Sequence, residues 1–191
     1  MSIKKFTPEK IEKLNKREVF VFGSNIQGEH VGGAALKAFH NFGAEFGKGF
    51  GYQGKSYAIP TCVRVWDESG LRKTKPFDNV NQIKPYIEVF VNDVSKNDLT
   101  FYVTKIGCGI AGFKVSEIAE LFRPCLEMEN VILPKEFVKS LLYVEVIDNL
   151  SKRGLVGGED YDDDLAMNFV MERIGGRHSL DDILDEFENM S

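Results

Sequence analysis

The sequence predicts an α/β fold: a mixed, mostly parallel sheet with helices on both faces, continued by a helical C-terminal extension. Two observations carry this reading. Short apolar runs rich in Val, Phe, Tyr and Ile alternate along the chain with segments of helical periodicity, the order expected of β–α–β units. Two of those runs empty directly into glycine-rich loops, residues 23–33 and 107–113. In parallel sheets such loops lie at the carboxyl ends of strands, where ligands bind.

Val19-Phe20-Val21-Phe22 is a continuous apolar run and reads as a buried strand. A helix follows from Gly33 to Asn41, with Leu36 and Phe39 on one face and Ala34, Ala35 and Ala38 allowing close packing. Five glycines stand among aromatics between residues 43 and 55, which opposes a helix and favours turns or a hairpin. Tyr57-Ala58-Ile59 reads as a short strand stopped by Pro60, and residues 62–79 as a long, irregular surface loop. Pro85 suits the first turn of a helix whose stripe is Ile83, Ile87, Phe90, Val91 and Val94. Thr100 to Ile106 has strong strand character. Ser116 is the expected N-cap of a short helix that buries Ile118, Leu121 and Phe122 and is closed by Pro124. Val131-Ile132-Leu133 reads as a further strand.

Residues 135–150 favour a helix over a strand, despite the β-branched content of 142–147. Gly154, Gly157 and Gly158 mark a joint before a helix carrying Leu165, Phe169 and Val170, ended at Gly175-Gly176. Ser179-Leu180-Asp181-Asp182 opens another with a capping-box-like pattern and the stripe Leu180, Ile183, Leu184 and Phe187. The division expected is a nucleotide-binding body over residues 1–140 and an acidic, helical extension over 141–191.

With 43% hydrophobic and 28% charged residues, the balance is that of a water-soluble domain. No apolar run approaches the ~20 residues that span a bilayer, and polar residues follow the start, so a cytoplasmic protein is expected. Cys62, Cys108 and Cys125 have no CxxC spacing, which argues against zinc and a disulfide framework; neither a metal nor a cofactor is implied. Residues 145–191 hold 13 acidic and four basic side chains, whereas residues 1–144 hold 16 and 20. The mildly positive body suits a phosphorylated ligand and is too weak for a nucleic-acid groove. The acidic tail reads as a solvated surface or as a partner-docking segment.

Glycines after a strand let main-chain N–H groups approach phosphate oxygens, and the following helix N-terminus adds favourable partial charge. Neither loop contains GxxxxGK[ST] or a GxSxG elbow. Gly107-x-Gly109-x-x-Gly112 matches the dinucleotide fingerprint formally, but no acidic residue follows a second strand at its usual distance.

Gly109-Ile110-Ala111-Gly112-Phe113 resembles the G-I-Y-G-F/Y loop of macrodomains, with Ala111 in place of Tyr. Asn25 and Gly32-Gly33-Ala34 resemble that family's N-x(n)-GGG-V-A loop. Phe22-Gly23-Ser24-Asn25, residues 56–61, residues 104–113 and Val131-Ile132-Leu133-Pro134 together resemble a divergent macro-like family of short bacterial and phage proteins, over roughly residues 17–137. The G-D-I motif that reads adenine in many macrodomains has no counterpart in residues 15–22.

The resemblance implies binding of ADP-ribose or a related nucleotide by Gly23, Ser24, Asn25, Gly28, Gly32, Gly33, Ala34, Thr61, Gly107, Cys108, Gly109, Ile110, Ala111, Gly112 and Phe113. Asn25 and His30 are the candidate catalytic residues for hydrolysis of an ADP-ribosyl linkage. Each has a plainer reading: an Asx-turn for Asn25, a surface loop position for His30, a turn or cap for Ser24, loop packing for Cys108 and core packing for Phe113. Glu29 reads as a base for water or a solvated carboxylate. Trp66 reads as a pocket rim or a loop anchor, and His40 as a helix-surface residue. Three functions stay open: ADP-ribosyl hydrolysis, nucleotide binding or sequestration without turnover, and partner binding through the acidic tail.

Overall fold

Apolar residues fill every position from Val19 to Phe22, and the computed structural model, which describes residues 6–155, 163–174 and 179–190, makes them part of a central strand. Strand β1 (Glu18–Asn25) is flanked in parallel by β3 (Ser56–Trp66) and β5 (Thr100–Val103), and β6 (Val131–Ile132) continues the parallel order beyond β5. The outer edge of β3 takes two antiparallel partners in succession, β2 (Gly51–Gln53) and then β4 (Arg72–Pro76). Alternation sends Val19 and Val21 to one face and Phe20 and Phe22 to the other. All four are 3% exposed or less, so both faces of the sheet are covered.

On one face lies α1 (Gly33–Asn41), whose Ala35 and Ala38 pack with Phe42 on Phe20, Phe22 and Ala58. The other face carries α2 (Lys84–Ser95), α3 (Val115–Leu121) and α4 (Lys135–Lys152). Their Ile87, Phe90, Ile118, Phe137 and Leu142 share a core with Val21, Tyr57 and Phe101. Helices α5 (Asp163–Arg173) and α6 (Leu180–Met190) extend that core through Met167, Val170, Ile183 and Leu184, all fully buried. Polar pairs fasten them: Lys139 to Asp164 at 2.9 Å and Arg173 to Glu186 at 3.1 Å. The expected boundary at residue 140 falls inside α4. Among the described residues no helix is long and apolar enough to cross a membrane.

Four expectations need correction. Leu36 and Phe39 do not form the buried face of α1; they are 37% and 41% exposed. The sheet presents two large Phe rings there, so close approach requires the alanines. Pro60 does not stop its strand, because it falls between the pairing of β2, which ends at Ala58, and that of β4, which begins at Cys62. At that point on the outer edge its missing N–H costs no ladder bond. Residues 62–79 are not an irregular loop: they form the β3–β4 hairpin, whose turn is held by Asp67 Oδ1 accepting from Ser69 N and Leu71 N at 2.9 Å each. Lys114, rather than Ser116, is the N-cap of α3, with Glu117 Oε2 accepting from its N–H at 3.0 Å. The Ser179 pattern does cap α6, its Oγ accepting from Asp182 N at 3.2 Å. The expected stops at Gly157, Gly158, Gly175 and Gly176 lie outside the described residues.

Tyr57 is fully buried and its hydroxyl donates to Asp93 of α2 at 2.7 Å. Burial, reinforced by the Asp93 charge, pushes the Tyr52 phenol up to about 12. Burial and the hydrogen bond to Asp93 push Tyr57 higher still. Unfolded tyrosines ionise near pH ~10, so the stability these phenols contribute is complete below that pH and is lost as the pH rises towards about 12. Urea unfolding across this window should show the fall. Tyr57→Phe should lower stability at neutral pH by about 1 kcal/mol and flatten the alkaline loss.

Candidate functional site

The two glycine-rich loops meet at the carboxyl ends of β1 and β5. A Cβ placed on Gly23 would lie 3.6 Å from the main-chain nitrogen of Gly107 and 3.7 Å from both Thr61 Oγ1 and the Ile106 side chain. Between the loops is a cleft of about 200 Å³. Of the residues expected at a ligand, Gly23, Ser24, Asn25, Gly32, Gly33, Ala34, Thr61, Gly107, Gly109, Ile110 and Ala111 line it. Thr61 arrives through a bulge, where the β1–β3 register steps from Ser24 and Pro60 to Asn25 and Cys62. Bulges commonly re-aim one side chain in this way.

The chemistry of the cleft is largely main-chain. Among the described residues, the N–H groups of Gly107, Gly109, Ile110 and Ala111 have no hydrogen-bond acceptor. Gly33, Ala34 and Ala35 form the first turn of α1, which no side chain caps, so their N–H groups also lack acceptors. Seven donors lie on two converging segments, one of them a helix N-terminus, an arrangement whose chemistry is able to accept an anion. Ile110, 70% exposed, stands at the rim, its Cδ1 4.0 Å from where a Gly32 Cβ would sit.

The polar side chains at the loop roots hold it in shape. Ser24, 3% exposed, donates its hydroxyl to the carbonyl of Gly49. Asn25 closes the turn with both ends of its amide: Nδ2 donates to Glu29 O at 2.8 Å, and Oδ1 accepts from Glu29 N at 3.0 Å. The Glu29 carboxylate in turn accepts from Arg64 Nε at 3.0 Å and pairs with Arg72. Arg64 also donates to Thr74 Oγ1 at 2.8 Å. Lys105, the cation among the lining residues, is tied to Glu136 Oε1 at 2.9 Å.

Five expected site residues lie off the cleft. His30 is 2% exposed, its ring edge-on to Phe22 at 5.3 Å, and neither ring nitrogen has a partner among the described residues. It is neither a surface residue nor a lining one. Gly28 packs against the main chain of Lys48. Phe113 sits beside Gly107 and Ile118 and joins the larger core. Gly112 donates its N–H to Gly109 O at 2.9 Å within the loop. Cys108 is half-buried, and burial pushes its thiol up, which opposes an activated nucleophile. Trp66, 66% exposed, lies under the Arg72 guanidinium at 5.0 Å, and His40 is an exposed α1 residue beside Phe39.

Glu29, read from the sequence as a base for water or a solvated carboxylate, lines the cleft, and so do Cys62, Thr74 and Lys105, which the sequence reading does not place at a ligand. The available signal for Thr74 is the Asp67-Glu68-Ser69-Gly70 turn, which breaks residues 62–79 into two segments. No family model, no curated protein and no solved structure matches this chain.

Proposed function

We propose that the cleft binds the pyrophosphate and an adjoining ribose of ADP-ribose or a closely related nucleotide, as a macrodomain-like module acting in the cytoplasm. The observation that carries the reading is the set of seven acceptor-free main-chain amides around one cavity. The cleft alone is smaller than the ~300–1,000 Å³ typical of sites for drug-sized ligands. A second cavity of about 300 Å³ adjoins it, sharing Gly33, Ala34, Thr104 and Lys105 and walled by Ile11, Phe20 and Pro134. Together they offer an anion-holding part and a mixed part, where Ile11, Phe20 and Pro134 stand beside Glu9, Lys37 and Glu136, and their combined size suits a nucleoside diphosphate derivative.

Binding without turnover is the form the side chains favour. Asn25 uses both ends of its amide on the loop, His30 is buried off the cleft, and Glu29 is engaged by two arginines. Calorimetry with ADP-ribose should show saturable binding at one site. Mass spectrometry of an ADP-ribosylated protein incubated with the chain should show the linkage intact. An absence of heat with ADP-ribose at millimolar concentration would end the reading.

A further inference from the structure

We infer that Lys105 is the cation that meets the ligand's diphosphate, held in reserve by Glu136 and handed over when the anion enters. The inference rests on the proposed nucleotide reading and adds to it a residue that changes partners. Among the residues lining the cleft Lys105 is the one cation, and it also lines the adjoining cavity, so it stands where the two meet. It is followed by Ile106 and then by Gly107, where the acceptor-free amides of the second loop begin. Consecutive Cα atoms are about 3.8 Å apart, which places the Lys105 and Gly107 Cα atoms within about 8 Å of each other. The flexible four-carbon stem of a lysine covers such a span.

The Lys105 ammonium donates to Glu136 Oε1 at 2.9 Å. The two side chains are 54% and 47% exposed, and ion pairs this open to water contribute little to stability. Neither partner depends on the other for its place. Glu136 lies in the first turn of α4, where the helix dipole favours a carboxylate on its own. Lys105 is anchored by its main chain, its carbonyl accepting from Cys108 N at 3.2 Å. The adjoining cavity has a second lysine, Lys37, but it is bound to Glu12 at 3.1 Å and does not line the cleft. A diphosphate on the loop amides carries two negative charges against the one of Glu136, and neutral main-chain donors leave both uncancelled. Phosphate oxygens and an ammonium form charge-assisted hydrogen bonds. Glu136 therefore competes with the ligand for one ammonium, and removing its charge frees that ammonium for the cleft.

Calorimetry of the full chain with ADP-ribose and inorganic pyrophosphate tests this. Lys105→Met should weaken both by about tenfold, and Lys105→Arg should keep most of the affinity. Glu136→Gln should tighten both by about three- to fivefold. Added to Lys105→Met, the Glu136→Gln change should gain nothing, because no ammonium is left to release. The inference is overturned by wild-type affinity in Lys105→Met, by no gain in Glu136→Gln, or by a gain that persists without Lys105. If Glu136→Gln does not fold by circular dichroism, Lys105→Met against Lys105→Arg decides alone. Silence from both probes in the wild type removes the nucleotide reading together with the inference. Binding indifferent to Lys105 removes the inference and leaves that reading standing.

Discussion

Gly32→Asp is expected to leave the fold as stable as before, or slightly more so, while weakening ADP-ribose binding by about 100-fold, or roughly 2.7 kcal/mol. Gly32 is the N-cap of α1 with φ −163° and ψ 163°, extended backbone that any residue adopts. A Cβ there meets nothing closer than Ile110 Cδ1 at 4.0 Å. An N-cap aspartate accepts hydrogen bonds from the second and third residues of its helix, here Ala34 and Ala35. Those are donors assigned to the ligand phosphate. The substituted carboxylate therefore caps the helix, gaining a few tenths of a kcal/mol over glycine, and repels any incoming anion. Melting temperature and calorimetry on one preparation separate the two effects. Unchanged affinity alongside unchanged or raised stability would show that the α1 terminus takes no part in binding.

The largest loss of stability should come from Gly28→Ala, about 4 kcal/mol or more. Gly28 has φ +67°, and an added Cβ would lie 2.2 Å from Lys48 N and 2.5 Å from Gly47 C. The left-handed conformation alone costs an alanine roughly 1–2 kcal/mol. The overlap adds more, because the obstructing atoms are main chain and are themselves bound. Gly47 N donates to Gly28 O at 3.0 Å, and Lys48 O accepts from Gln53 Nε2 at 2.7 Å. Moving residues 47–48 breaks those bonds. Gly47→Ala is the comparison, with φ +89° and nothing within 4 Å of its Cβ. It should cost only the conformational share, about 1–2 kcal/mol. Urea unfolding of the pair decides, and equal losses would refute the steric argument.

The sheet and the convergence of its loops could be read from the sequence because both rest on local signals. An uninterrupted run such as Val19 to Phe22 has few alternatives to a buried strand, and glycines directly after it leave a loop that main-chain donors can line. The β3–β4 hairpin was hidden because its second strand, Arg72-Lys73-Thr74-Lys75-Pro76, has no apolar alternation. It is held by pairing to β3 and by the Glu29 contacts, which are distant in sequence. The orientation of α1 was misread for a related reason. Helix periodicity places large residues inward by default, but here Phe20 and Phe22 supply the bulk from the sheet side. His30 follows from the same face: its loop position suggests exposure, but its buried ring stands edge-on to Phe22.

The place of β1 in the sheet also bears on how the chain matures. It leaves the ribosome before its neighbours, yet its partners lie downstream: Phe20 aligns with Ser56 on one side and Tyr102 on the other. The four-residue apolar stretch Val19 to Phe22 is therefore translated about 80 residues ahead of its second flank. Until β3 emerges both hydrogen-bonding margins of a sticky segment are open to foreign strands, and the margin that β5 will take stays open to the end of that interval. A nascent-chain holdase would have its greatest effect on yield in that window, before residue 103 emerges.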